Sequence, residues 1–133
     1  MRRALWTALG AALLTGASLA AHHEYEAYQA DVTVTLEGTL LEMRFADPHT
    51  LLQVQGPDGS YTVEWRPASQ LEAVGIDEGM FRPNQYLIIT GSPFINPRAK
   101  RMALVSELYR PEDGFRWRVV DGELSVDPPR TLP

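Results

Sequence analysis

The chain has 133 residues, no cysteine, and 12 Lys and Arg against 17 Asp and Glu, a formal charge of −5. That length suits one domain with a modest core. The acidic balance repels phosphate backbones, so no nucleic-acid partner is expected, and without cysteine there is no disulfide, thiolate nucleophile or Cys-ligated zinc site.

Residues 1–20 read as a secretory signal peptide. Arg2 and Arg3 form a positive start, Ala4 to Leu14 is an apolar core too short for a permanent membrane span, and small residues follow. The arginine pair lacks the rest of a twin-arginine pattern. Cleavage after Ala20 sets Ser18 and Ala20 at the positions that want small side chains, and leaves Ala21-His22-His23. Cleavage one residue later needs Leu19 at the upstream position and leaves His22-His23. Removing Arg2 and Arg3 from the 12 basic residues leaves 10 against 17 acids, a charge of −7. The expected location is the periplasm where the host has an outer membrane and the exterior otherwise, with no membrane contact once the leader is gone.

Glu24 to Ala30, carrying Tyr25 and Tyr28 among acids, reads as an arm on the surface. The first strand starts at Val32, where Val32, Val34 and Leu36 alternate with Thr33, Thr35 and Glu37. Gly38 interrupts it and predicts a bulge or a sharp coil, as where a sheet turns into a barrel. The strand ends at Asp47-Pro48, since proline cannot donate to a ladder. His49 to Gln55 is a second strand, Pro57-Asp58-Gly59 a turn, and Tyr61 to Trp65 a third strand with Tyr61, Val63 and Trp65 on one face. One short helix follows within residues 66–75, with Ser69 and Glu72 spaced as a capping box and Gly75 as its stop. Ile76 to Asn84 is a loop, Tyr86 to Thr90 a fourth strand, Gly91 to Lys100 a second loop, and Met102 to Tyr109 a fifth strand.

Three strands, a helix and two more strands is the order of the OB-fold, whose lone helix sits between strands three and four. The expected class is therefore all-β with one short helix, a small five-stranded OB-like barrel with its N-terminal arm over residues 21–110. Residues 111–133 add a hairpin and tail: Pro111-Glu-Asp-Gly114, Phe115 to Val120, an Asp121-Gly122 turn and Glu123 to Val126. Phe115, Trp117 and Val119 are placed to cover a barrel edge, and Asp127 to Pro133 to fray.

A leader ending in Ala-His-His, the strand Val-Thr-Leu-Glu-Gly-Thr-Leu, the following Asp47-Pro48-His49, Trp65 after the third strand and Pro-Glu-Asp-Gly after the fifth make a recognisable set. It resembles a widespread family of small exported bacterial proteins of unknown function, in which Asn-Pro-His is usual where Asp-Pro-His stands here. The resemblance implies export and an OB-like barrel, and no established activity. A looser likeness to the exported haem chaperone of cytochrome c maturation lacks that protein's haem-attachment histidine motif.

All three histidines fall in two places, His22-His23 and His49. A chain starting Ala21-His22-His23 can wrap Cu(II) or Ni(II) in a square plane with its terminal amine, two deprotonated amides and the His23 imidazole; a chain starting at His22 can chelate copper with its amine and ring. The candidate metal ligands are His22, His23 and His49, and copper(II) is the candidate ion. A straight strand from Val32 to Ala46 would run about 45 Å at roughly 3.3 Å per residue, while the arm from His23 to Asp31 spans at most about 27 Å. His49 can therefore join the pair only if the strand coils, with Gly38 as the hinge; alone, its ring would cap a strand start or bond Asp47.

Other templates fail. The second histidine of His-Glu-x-x-His would fall at Ala27, Gly56-x-x-Gly59 lacks the lysine of a phosphate loop, and no serine is framed as a nucleophile elbow. Trp65, Tyr61, Tyr86 and Phe94 are candidates to line a ligand face or to pack the core. The expected function is that of an exported, non-enzymatic barrel that binds or sequesters copper through its N-terminal histidines. The alternative is a metal-independent binding module for a peptide, glycan or protein.

Overall fold

A computed structural model of the protein describes residues 26–131. Seven strands alternate with short connections: β1 (Val34–Arg44), β2 (Leu51–Gly56), β3 (Gly59–Glu64), the helix α1 (Ala68–Glu72), β4 (Tyr86–Pro93), β5 (Arg101–Arg110), β6 (Phe115–Val120) and β7 (Glu123–Asp127). They form one sheet in the order β3-β2-β1-β4-β5-β6-β7. A parallel pairing of Thr62 with Arg101 and of Val63 with Met102 joins β3 to β5 and closes the first five strands into the expected OB-like barrel. β6 and β7 form the expected hairpin, bonded outside the ring to the second half of β5.

β1 is the strand that turns the sheet. Its first half pairs with β4 from Val34 to Thr39, and its second half pairs with β2 from Thr39 to Arg44. Gly38 stands at this change of partner, where a Cβ atom would lie 2.3 Å from the Gln55 carbonyl oxygen and 2.9 Å from Val54 Cγ1. Glycine is therefore needed for close approach of backbones. The bulge itself falls two to three residues later, in the register shift between Leu40 and Glu42. A sequence reading puts it at the glycine because a missing side chain is visible and an extra ladder residue is not.

Leu36, Leu40, Leu52, Val54, Val63, Leu87, Ile89, Met102 and Leu108 fill the barrel, one face of each strand at a period of two. Two aromatic residues from β6 complete it. Phe115 and Trp117 are 0% and 1% exposed, and Trp65 meets Trp117 edge to face at 5.5 Å between ring centroids. The hairpin thus closes one side of the core, as the spacing of Phe115, Trp117 and Val119 predicts.

Several local expectations need correction. The capping box at Ser69 and Glu72 does not form: α1 has no side-chain cap of its own, and Asp47 reaches across to accept from Ser69 N at 3.0 Å and Ser69 Oγ at 3.1 Å. A short-range motif lost to a carboxylate 22 residues away. Gly75 does stop the helix, with φ +83, Ile76 N donating to the Leu71 carbonyl and Gly75 N to that of Glu72, a Schellman arrangement. β1 begins at Val34 rather than Val32, and β2 at Leu51 rather than His49. β4 runs on to Pro93, and single 3-10 turns break both predicted loops, at Glu78–Met80 and Pro97–Ala99. The arm lies on the barrel surface as expected but sends Tyr28 inward: Tyr28 is buried, bridges to Phe94, and Gln29 N donates to the Pro93 carbonyl. The tail is likewise tied, through Arg130 N to the Asp113 carbonyl at 2.8 Å.

Candidate functional site

The closure of the barrel leaves an opening. β5 has β4 along one side, apart from an irregularity between Thr90 and Ser92. On its other side β3 pairs only with Arg101 and Met102, and β6 only with Glu107 to Arg110. Residues 103–106 therefore have no strand on that side among the described residues. The chain is also distorted here, since Leu104 takes φ +48, a left-handed conformation that costs a leucine roughly 1 kcal/mol.

A cleft of about 390 Å³ occupies this opening, within the size range of small-ligand sites. Leu104, Val105, Ser106 and Val119 form one wall; His49, Glu64, Trp65, Arg66 and Gln70 form the other. The second wall exists because the ladder of β2 and β3 continues past its ends: Thr50 N donates to the Arg66 carbonyl, and Trp65 N to the Thr50 carbonyl. This carries His49 alongside Arg66. A second lobe of about 200 Å³ shares Arg66, Gln70 and Val119 with the first and runs on to Trp117, Gly122 and Leu124. Arg66 lines both lobes of this groove.

Arg66 is exposed, and its guanidinium carbon lies 5.7 Å from the centroid of the Trp117 ring. Its donors make no hydrogen bond or ion pair among the described residues. Arg101, at the same end, is engaged, pairing with Glu64 at 2.7 Å. Burial raises the pKa of the Tyr28 hydroxyl above the ordinary tyrosine value, with the neighbouring Arg101 guanidinium opposing it. Tyr28, buried against Phe94, thus brings the N-terminal arm beside Arg101 and Glu64, the latter on the cleft wall that holds His49.

Of the sequence-predicted metal ligands, His49 lines the cleft; His22 and His23 lie outside the described residues. Among the described residues no three His, Asp or Glu side chains are grouped to hold a metal ion. The aromatic candidates separate. Trp65 is core, with one edge toward the cleft. Tyr61 and Phe94 line a different hollow of about 410 Å³ under the arm. Tyr86 is exposed on a third surface, its hydroxyl donating to Glu37 at 2.8 Å, which raises its pKa. The Tyr61 hydroxyl donates to Asp58, and Lys100 does likewise at 3.0 Å, holding the Asp58 carboxyl below the usual carboxylate range.

Two features escaped sequence reasoning. Arg66 sits between a strand and a proline with no motif around it. Arg110, only 2% exposed, carries no sequence mark beyond the acid three residues on. Its guanidinium grips Asp113 with Nε at 2.9 Å and Nη2 at 2.7 Å, donates from Nη1 to the Met80 carbonyl, and lies against both the Phe81 and Phe115 rings. The hydrogen bonds from Arg110 hold the Asp113 carboxyl below its ordinary range.

The fold and the groove define a class: a small, closed, OB-like barrel with an added hairpin and one breach in its wall. Residues 11–99 match DUF6152, a family of unknown function, and the chain belongs to that family. The match stops short of β5 and the hairpin, which form one wall of the groove. No curated protein and no solved structure matches the chain. No helix among the described residues is long and apolar enough to cross a membrane.

Proposed function

We propose that this is an exported, non-enzymatic binding protein whose ligand seat is the cleft at His49. One observation carries the reading: the barrel wall is open beside residues 103–106 of β5, and the opening combines an apolar lining with His49, Arg66, Gln70 and Ser106. Apolar walls with a few convergent polar groups are what small-ligand and peptide sites need. A fragment set of amino acids, short peptides and monosaccharides, followed by NMR shifts of the mature protein, tests it. Saturable shifts should centre on residues 64–66, 104–106 and 119. Shifts centred on Tyr61 and Phe94 instead, or none at all, would remove the cleft from the account.

A second reading is favoured by the docked arm. His23 is five residues from Tyr28, roughly 17 Å of extended chain at most, and Tyr28 lies beside Glu64, which shares the cleft with His49. The coiling of β1 that a shared site requires is present in the closed barrel. On this reading His22, His23 and the terminal amine hold copper(II), with His49 as a further ligand. Titration of mature protein with Cu(II) should show binding below micromolar concentrations and weakening on His49→Ala; no binding in that range would end the copper reading.

A further inference from the structure

The groove has the form of a sheet position with its strand missing. β3 and β6 lie on the same side of β5, and the residues between their pairings, where Ala103 and Val105 are buried and Leu104 and Ser106 reach the surface around a left-handed Leu104, carry no strand on that side among the described residues. Edges of this kind are met by extended peptides that add main-chain hydrogen bonds and drop alternate side chains into pockets. A glycan fits less well, because Trp65 and Trp117 are 3% and 1% exposed and offer no ring face for a sugar to stack on.

Charge narrows the occupant further. The chain carries a formal charge of −5 and the cleft's own carboxylate, Glu64, is paired with Arg101, yet both lobes are lined by Arg66, whose donors are not engaged by any described residue. A planar guanidinium of this kind suits a carboxylate held through two hydrogen bonds. Arg66 lines both the lobe at Ser106 and the lobe at Leu124. A bound chain can therefore run past Arg66, which places a side-chain carboxylate there rather than a chain terminus.

We infer that the cleft takes an extended segment of a partner protein, laid along residues 103–106 of β5, with an Asp or Glu side chain on Arg66 and apolar residues two positions to either side. This rests on the cleft being the ligand seat. It goes beyond that reading in naming the partner as polypeptide, its conformation as a strand, and its central residue as acidic.

The probe is the blocked peptide acetyl-Val-Thr-Glu-Thr-Val-amide, whose only charge is the glutamate. Trp65 and Trp117 are the only tryptophans beyond the leader, so their fluorescence reports the groove. Saturable binding is expected, with the Gln counterpart about tenfold weaker or worse, as loss of a charge-assisted contact implies. Arg66→Gln, at an exposed position, should leave the melting temperature unchanged and bring the two peptides to equal affinity. Methylating the peptide's backbone nitrogens should weaken binding by a similar factor. Equal binding of the Glu and Gln peptides to the unaltered protein, or indifference to backbone methylation, overturns the inference. If no peptide binds while other fragments still map to the cleft, the peptide assignment fails and the ligand seat stands; if nothing maps there, both fail.

Discussion

The two halves of β5 are built to opposite standards. From Glu107 to Tyr109 the strand has neighbours on both sides, Leu108 is fully buried, and Arg110 is held by Asp113, the Met80 carbonyl and two rings. From Ala103 to Ser106 it has one irregular neighbour, a left-handed leucine 39% exposed, and a cleft against its side. Sealing the barrel through to β3 would need no more than a longer β3 or an earlier start to the β5 and β6 pairing. The contrast separates a half-strand laddered on both sides and locked by a buried ion pair from one that packs Ala103 and Val105 inward yet carries backbone strain beside a cleft.

The largest expected effect comes from breaking the sealed half. Arg110→Met removes one member of a buried pair and should cost about 3–5 kcal/mol, read as a fall in the urea midpoint. Asp113→Asn strands the guanidinium and should cost a comparable amount, and the double variant should lose less than the sum. The pH dependence has a definite sign. Asp113 has its folded pKa lowered, so its contribution is complete above the unfolded value of about 3.9 and disappears as pH falls through the lower folded value. Acid unfolding should therefore flatten in Asp113→Asn.

Next in size is Leu108→Ala, which leaves a cavity at a fully buried site and should cost about 2–4 kcal/mol. Gly91→Ala tests whether the open half is at least tight on its β4 side. A Cβ there would lie 2.7 Å from the Ala103 carbonyl oxygen, and crowding of this kind costs roughly 1–3 kcal/mol. The smallest change is expected for Leu104→Gly. Release of about 1 kcal/mol of backbone strain offsets the loss of a half-exposed side chain, and the net should stay below roughly 1 kcal/mol by the same denaturant assay. A large loss at Leu104 would mean that the two halves are equally structural.

The barrel was legible because its evidence is periodic and local: alternating β-branched strands, a helix stop at Gly75, and turn residues at Asp58-Gly59 and Asp121-Gly122. Gly38 was legible as special though not as to why, since its role depends on the Gln55 carbonyl of another strand. The groove was scarcely legible. Its walls come from residues 49, 64–66, 104–106 and 119, which no spacing rule links, and its opening consists of pairings that do not occur. Asp47 in its Asp-Pro-His setting drew attention as a neighbour of a possible ligand, and its use is to cap α1 and so fix the segment that follows Arg66. His49 was singled out as a metal ligand. The structure lays it in the same cleft as Arg66, which had no mark of its own.

The most direct measurement is backbone amide hydrogen exchange along β5, with and without the blocked glutamate peptide. In the free protein, amides in residues 104–106 should exchange orders of magnitude faster than those of Leu108 to Arg110, and saturating peptide should slow the first group while leaving the second unchanged. Uniform protection of the free strand, or fast exchange of residues 104–106 that the bound peptide does not alter, would contradict the account.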